Sequence, residues 1–295
     1  MYKLPEKIDQ LFFIETMKKI CLEASSLLRS YTQNIKCQEE YEKKLKIEYK
    51  DNAPVTAADL QVNELIVNGI RKGFPDAKWE FLSEESYKNF EEKYFYSDWL
   101  WIIDPLDGTK DFIQKTGEYA IHLALTFCRK PIFSVVVIPD LEEFWFYFEG
   151  IGTWCEDTQN NKKRYSGLVE KKLEDFTILT SKSHRHQDLN LLLEKLNVAE
   201  ILGMGSVGNK ITKIIKGEAD LYISYSLEGG SSPKDWDMAA PEAIIRGSGG
   251  FLTNIDGSEL AFLKDKNISQ DGIIIGSKNV QHKKICEIIS KELLN

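Results

Sequence analysis

Apolar positions change period several times along this chain, and each change marks an element. Ile8, Leu11, Phe12, Cys21, Ala24, Leu27 and Leu28 recur at helical spacing, which predicts an amphipathic helix over 8–30. Leu45-Lys46-Ile47-Glu48-Tyr49 alternates and predicts a strand running into the turn signal Asp51-Asn52-Ala53-Pro54. A second helix is predicted over 58–72, stopped by Gly73-Phe74-Pro75. Trp99-Leu100-Trp101-Ile102-Ile103 is a short apolar run of the kind a buried strand makes, and it leads straight into acidic residues.

Between Tyr119 and Trp154, strand-like segments at 120–127, 132–138 and 143–148 are separated by Arg129-Lys130-Pro131, Pro139-Asp140 and Glu149-Gly150. That pattern predicts antiparallel hairpins. Residues 156–173 are polar and lysine-rich and are the expected lobe boundary. Beyond them, strands near 176–180, 220–225 and 272–276 alternate with helices near 187–196, 206–217, 238–247 and 279–293. The expectation is an α+β chain of two lobes: 1–172 with an antiparallel sheet, and 173–295 with an α/β arrangement.

Composition narrows the function. With 295 residues and 42% apolar content, the chain can bury a full core. No apolar run approaches the ~20 residues that span a bilayer. Met1 to Gln10 carries Lys3, Glu6, Lys7 and Asp9 without an apolar signal core, so export is not expected and a cytoplasmic location is. Five cysteines without a C-x-x-C pair fit free thiols rather than a zinc site. A net charge of −8 argues against a groove for duplex nucleic acid, which needs clustered Lys and Arg.

Candidate chemistry centres on Asp104-Pro105-Leu106-Asp107-Gly108-Thr109. A strand ending in a proline-stiffened turn can aim both carboxylates and the Leu106 carbonyl at one spot, and magnesium takes such hard oxygen ligands. Gly108 would let a phosphate approach the backbone amides that follow. The same residues read equally well as an Asx-rich surface turn. Ser83-Glu84-Glu85-Ser86 follows Trp79, Phe81 and Leu82, which places Glu84 at a strand end; paired glutamates are also ordinary surface. Asp237, before Met238-Ala239-Ala240-Pro241, sits at or near a helix N-cap, and Asp59 opens the helix after Val55-Thr56-Ala57-Ala58. Helix capping alone accounts for both.

The four features together are more specific than any one. Asp59, Glu84-Glu85, Trp101-Ile102-Ile103-Asp104-Pro105-Leu106-Asp107-Gly108-Thr109 and Trp236-Asp237-Met238-Ala239-Ala240 lie in the order of the inositol monophosphatase superfamily, and the resemblance spans nearly the whole chain. Within it the chain most resembles 3′(2′),5′-bisphosphate nucleotidases of the CysQ type. Asp51-Asn52-Ala53-Pro54-Val55-Thr56-Ala57-Ala58-Asp59 is similar to D-x-S-P-V-T-A-A-D, and Asp107-Gly108-Thr109-Lys110-Asp111-Phe112-Ile113 to D-G-T-K-E-F-I. Thr180-Ser181-Lys182-Ser183-His184 resembles S-R-S-H, and Gly205-Ser206-Val207-Gly208-Asn209-Lys210 resembles the helix starts of such nucleotidases. A loop over Glu228-Gly229-Gly230-Ser231-Ser232-Pro233-Lys234-Asp235 is longer than the pattern calls for.

The resemblance implies a layered α/β/α/β/α sandwich and metal ligation by Glu84, Asp104, the Leu106 carbonyl, Asp107 and Asp237. It implies that Thr109 and Asp59 orient and deprotonate the attacking water. It further implies substrate contacts at Glu84, Leu106, Asp107, Gly108, Thr109, Ser183, His184, Gly205, Ser206, Lys210 and Asp237. The expected substrate is a small phosphorylated nucleotide, with inositol or sugar monophosphates as the alternative and a non-catalytic metal- or nucleotide-binding sensor as a remote one. Two to three Mg2+ ions, a homodimer and lithium sensitivity are further family expectations. Five ionised carboxylates at one site total about −5, which two divalent ions would bring to about −1 and three to about +1. An acidic protein could thus bind phosphate through its metals.

Overall fold

The computed structural model describes residues 4–5, 8–33, 38–50, 53–87, 96–182, 187–226, 232–264 and 267–294. The first helix, α1 (Gln10–Thr32), starts where Asp9 Oδ1 accepts the Phe12 N–H at 2.8 Å. Next come α2 (Gln38–Leu45), the short hairpin β1 (Glu48–Lys50) and β2 (Ala53–Val55), and α3 (Ala57–Gly73). Leu45 was expected to begin a strand and instead ends α2, because Lys46 takes a left-handed φ of 48° that stops the helix. The strand begins only at Glu48.

A seven-stranded sheet is built from β3 (Glu80–Ser83), β4 (Trp99–Asp107), β5 (Ala120–Phe127), β6 (Lys130–Ile138), β7 (Glu143–Phe148), β8 (Gly152–Glu156) and β9 (Lys162–Tyr165), in that order. Only β3–β4 is parallel among its pairs; the rest are antiparallel meanders. A five-residue helix, α4 (Thr109–Ile113), follows β4. The second sheet has order β11-β10-β12-β14-β13, from β10 (Thr177–Ser181), β11 (Glu200–Met204), β12 (Leu221–Ser226), β13 (Phe251–Asn254) and β14 (Gly272–Ser277). Its remaining helices are α5 (Gln187–Lys195), α6 (Val207–Lys216), α7 (Asp235–Gly247) and α8 (His282–Leu294).

Three apolar clusters define the layers. Phe13, Met17 and Ile20 of α1 and Val62, Ile66 and Ile70 of α3 pack on Trp101, Ile103, Leu123 and Phe133 of the first sheet. Leu100, Ile102, Ala120 and Ala124 face the other way, toward Ile211 and Ile214 of α6 and Met238, Ala239 and Ile244 of α7, which also touch Leu179, Tyr222 and Ile274 of the second sheet. Leu189, Leu192, Ile285 and Ile289 of α5 and α8 close the outer side on Ile178, Leu221 and Ile275. The order is helix, sheet, helix, sheet, helix, an α+β sandwich. Alternation along β4, with odd residues inward to α1 and even residues inward to α7, follows from the two-residue pleat. No helix among the described residues is long and apolar enough to cross a membrane.

Candidate active site

Asp104 and Asp107 are three residues apart, which in a regular strand would put them on opposite faces. The strand is not regular there. Asp104 pairs with His122 and Asp107 with Ala120, so three steps on β4 match two on β5. This bulge returns Asp107 to the face that Asp104 occupies. The Leu106 N–H donates to Asp104 Oδ1 at 3.0 Å and locks the turn. The chain then reaches Gly108, whose φ of 91° is left-handed and whose missing Cβ would lie 2.9 Å from the Glu118 carbonyl. Only glycine fits, and it turns the chain into α4.

Two helices bring their own aspartates by the same device. In α3 the N-cap is Thr56, and Asp59 Oδ2 accepts the Thr56 N–H at 2.8 Å and its hydroxyl at 2.5 Å. In α7 Asp237 Oδ2 accepts the Lys234 N–H at 2.6 Å. Asp237 therefore stands at the third helical position rather than at the cap. Both aspartates cap a helix, and Asp237 also lines the pocket.

Oxygens of Asp104, Asp107 and Asp237 lie within 4.8 Å of one another. Glu84, directly after β3, donates its N–H to the Ile103 carbonyl at 3.2 Å. It is not in that tight trio, but the charges of Asp237, Asp59 and Asp107 act on its carboxyl. Thr109 Oγ1 donates within reach of two acceptors, Asp59 Oδ1 at 3.1 Å and the Leu106 carbonyl at 3.2 Å. From the far side, Ser206 Oγ and the Val207 N–H donate to Asp107 Oδ2 at 2.8 and 2.5 Å. Glu84, Asp107, Gly108, Thr109, Gly205, Ser206, Lys210 and Asp237 line one pocket.

The inositol monophosphatase family model matches residues 10–294. The chain belongs to the inositol monophosphatase family. A relative in Buchnera aphidicola, 3′(2′),5′-bisphosphate nucleotidase CysQ, is 30% identical over 256 residues, 86% of this chain and 89% of that protein. Among solved structures, the extragenic suppressor protein suhB of Bartonella henselae aligns with a TM-score of 0.75 at 26% identity, covering 95% of this chain and 98% of that one. CysQ from Bacteroides thetaiotaomicron aligns with a TM-score of 0.69 at 25% identity, covering 90% and 97%. This family member is a phosphoric monoester hydrolase.

Its pocket has the electrostatics of a cation site. Burial, then Glu84, Asp107 and Asp237, raises the Asp104 carboxyl well above the carboxylate range. Burial and neighbouring carboxylates, Asp237 first, do the same to Glu84. Burial and Asp107 raise Asp237. Such a group repels itself unless protons or cations enter. Hard oxygen donors converging from β4 and α7 fit a divalent cation, and metal dependence is a family property.

The rest of the pocket lining offers two lysines and several hydroxyls, with Lys182 ion-paired to Glu118 at 2.5 Å and lying 3.5 Å from Asp111. Lys210 is buried beneath Tyr222, with Nζ 5.6 Å from the ring centre, and donates to the Met204 carbonyl at 3.1 Å and to the Gly205 carbonyl. Burial lowers its pKa to about 8. Lys182, Ser224, Tyr225 and Ser232 line the same side. These four were absent from the expected contacts. Lys182 had a legible signal, since it directly follows β10 at the end of a strand, where α/β ligands gather. Ser183 and His184 lie outside the described residues, as do Asp51, Asn52 and positions 228–231 of the long loop.

Proposed function

We propose that the chain is a magnesium-dependent 3′(2′),5′-bisphosphate nucleotidase that converts 3′-phosphoadenosine 5′-phosphate to AMP and phosphate. The observation that carries this reading is the two-pole pocket: the carboxylates of Glu84, Asp107 and Asp237 share one cavity with Lys182 and Lys210. A monophosphate needs one anion site. A bisphosphate needs two, and the lysine pole supplies the second. The CysQ relatives named above point the same way.

Asp104, Asp107, Asp237, Glu84 and the Leu106 carbonyl would hold two or three magnesium ions. Bound there, the ions supply the positive charge a phosphate dianion needs and acidify a water. The chain's own residues then handle the proton. Thr109, donating to Asp59 Oδ1, keeps a hydroxyl lone pair free to accept a proton from the attacking water as its own proton passes to Asp59. Burial raises the Asp59 pKa, partly countered by its Thr56 hydrogen bonds, so it holds that proton more readily than an exposed aspartate. Backbone amides after Gly108 face the phosphate. Lys210, Gly205 and Ser206, with Ser183 and His184, are proposed nucleotide contacts.

The test is phosphate release, with magnesium, from 3′-phosphoadenosine 5′-phosphate and from inositol 1-phosphate at equal concentrations. Faster release from the nucleotide is expected. Faster release from the inositol ester would overturn the substrate assignment.

A further inference from the structure

His122 is an unusual residue in β5. It is 1% exposed, between Ala120 and Ala124 on the face that packs against α6 and α7, and neither ring nitrogen has a hydrogen-bond partner. A fully buried imidazole without well-placed hydrogen-bond partners is costly. The surroundings show where it would be used. His122 Nε2 stands 3.4 Å from Asp107 Oδ2, just beyond hydrogen-bonding distance. On the other side the ring meets the main chain of Trp236, the residue before Asp237. The first turn of α6 is pressed against it. A Cβ at Gly208 would lie 2.4 Å from Nε2. His122 thus sits at the junction of β4, α6 and α7, behind the carboxylates rather than among them.

We propose that His122 is a positioning residue that holds Asp107 from behind and fixes which of its oxygens faces the metal pocket. Oδ2 already takes the Val207 N–H and the Ser206 hydroxyl. A donor at Nε2, closing a gap of a few tenths of an ångström, is the third on the same oxygen. Oδ1 takes none of the three and is left for the cation. Gly208 is the complement of this device, because any larger residue would push the ring off its line to Asp107. The inference rests on reading Asp107 as a metal ligand. Outer partners that orient a ligand are worth roughly 10- to 100-fold in metal affinity.

The experiment is calorimetric titration of Mg2+ into the full-length metal-free protein, with melting temperature measured alongside. His122→Leu removes the donor at similar volume and is expected to weaken Mg2+ binding by about tenfold or more, while the metal-free protein melts no lower than wild type. His122→Gln places an amide N–H near the Nε2 position and is expected to restore affinity to within about threefold. Gly208→Ala keeps the histidine but displaces it, and is expected to weaken Mg2+ as His122→Leu does. Wild-type Mg2+ affinity in either His122→Leu or Gly208→Ala would overturn the proposal. So would equal weakening by Leu and Gln, which would mean that packing alone matters. Asp107→Asn separates this from the underlying reading: if it leaves Mg2+ affinity unchanged, the metal site itself is wrong.

Discussion

The two walls of the pocket are built by different means. The carboxylate wall comes from β4, the residue after β3, and the first turns of α3 and α7. Three of its groups are fixed by main-chain hydrogen bonds within three residues of themselves: Leu106 N–H to Asp104, Thr56 N–H to Asp59, Lys234 N–H to Asp237. Asp107 is the exception, held from α6 by Ser206 and Val207. The opposite wall, from β10, β12 and α6, is held by long-range contacts. Lys182 pairs with Glu118 at 2.5 Å across 64 residues, and Glu118 Oε2 also accepts the Gly205 N–H at 2.8 Å. A locally braced wall suits chemistry that tolerates little displacement. A wall assembled from distant segments can differ between related enzymes without disturbing that chemistry.

Breaking the carboxylate wall has the largest expected effect. Asp104→Asn removes a buried carboxylate of the proposed metal site and should lower kcat/KM by at least about a hundredfold, with weakened Mg2+ binding. Steady-state rates across a magnesium series check this. Thr109→Val is nearly isosteric and removes the hydroxyl of the proposed proton relay to Asp59. It should lower kcat by roughly 10²- to 10⁴-fold with Mg2+ affinity nearly unchanged, a split that ligand mutants cannot produce. On the other wall, Lys182→Met should raise KM for the bisphosphate by about tenfold while leaving kcat close to wild type. A matching loss with a monophosphate substrate would show that the walls do not divide the work as described.

Residues of the carboxylate wall were legible because the same local bracing writes itself into contiguous motifs. Asp104 to Thr109 reads as one unit, and the caps at Asp59 and Asp237 each follow a recognisable helix start. The bulge that brings Asp104 and Asp107 to one face was not legible, since it depends on pairing with β5. Strand β9 was hidden for another reason: Lys162-Lys163-Arg164 made it read as a polar connector, whereas cations are what a sheet edge carries to deter further pairing. The edge strands β11 and β13 were missed too. Lys182, Tyr222 and Ser224 meet only through tertiary contact. Tyr222 and Ser224 lie within β12 and carry no local motif, while Lys182 has only its place directly after β10.

The smallest effect concerns pH. Buried carboxylates with raised pKa values, among them Asp104, Glu84 and Asp235, the last pushed up to about 7, keep protons in the folded metal-free state that the unfolded chain has lost above about pH 4. Through these groups, folding stability falls as pH rises above about 4, a loss that for Asp235 runs to about pH 7. His282 works in the opposite direction: burial lowers its folded pKa to about 4, so its contribution is lost as pH falls from about 6.5 to about 4. The difference between melting temperatures with and without saturating magnesium cancels the histidine. It should widen from about pH 5 to about pH 8, because metal displaces protons from the site. A constant difference would mean that the carboxylates do not bind the metal.

The most direct measurement is phosphate release from 3′-phosphoadenosine 5′-phosphate after a chelator has stripped divalent ions, followed by magnesium replacement. Release should cease on stripping and return on replacement in the wild-type protein, with AMP as the other product, and should not return in Asp104→Asn. Undiminished release in the chelator would contradict a carboxylate wall that works by holding metal.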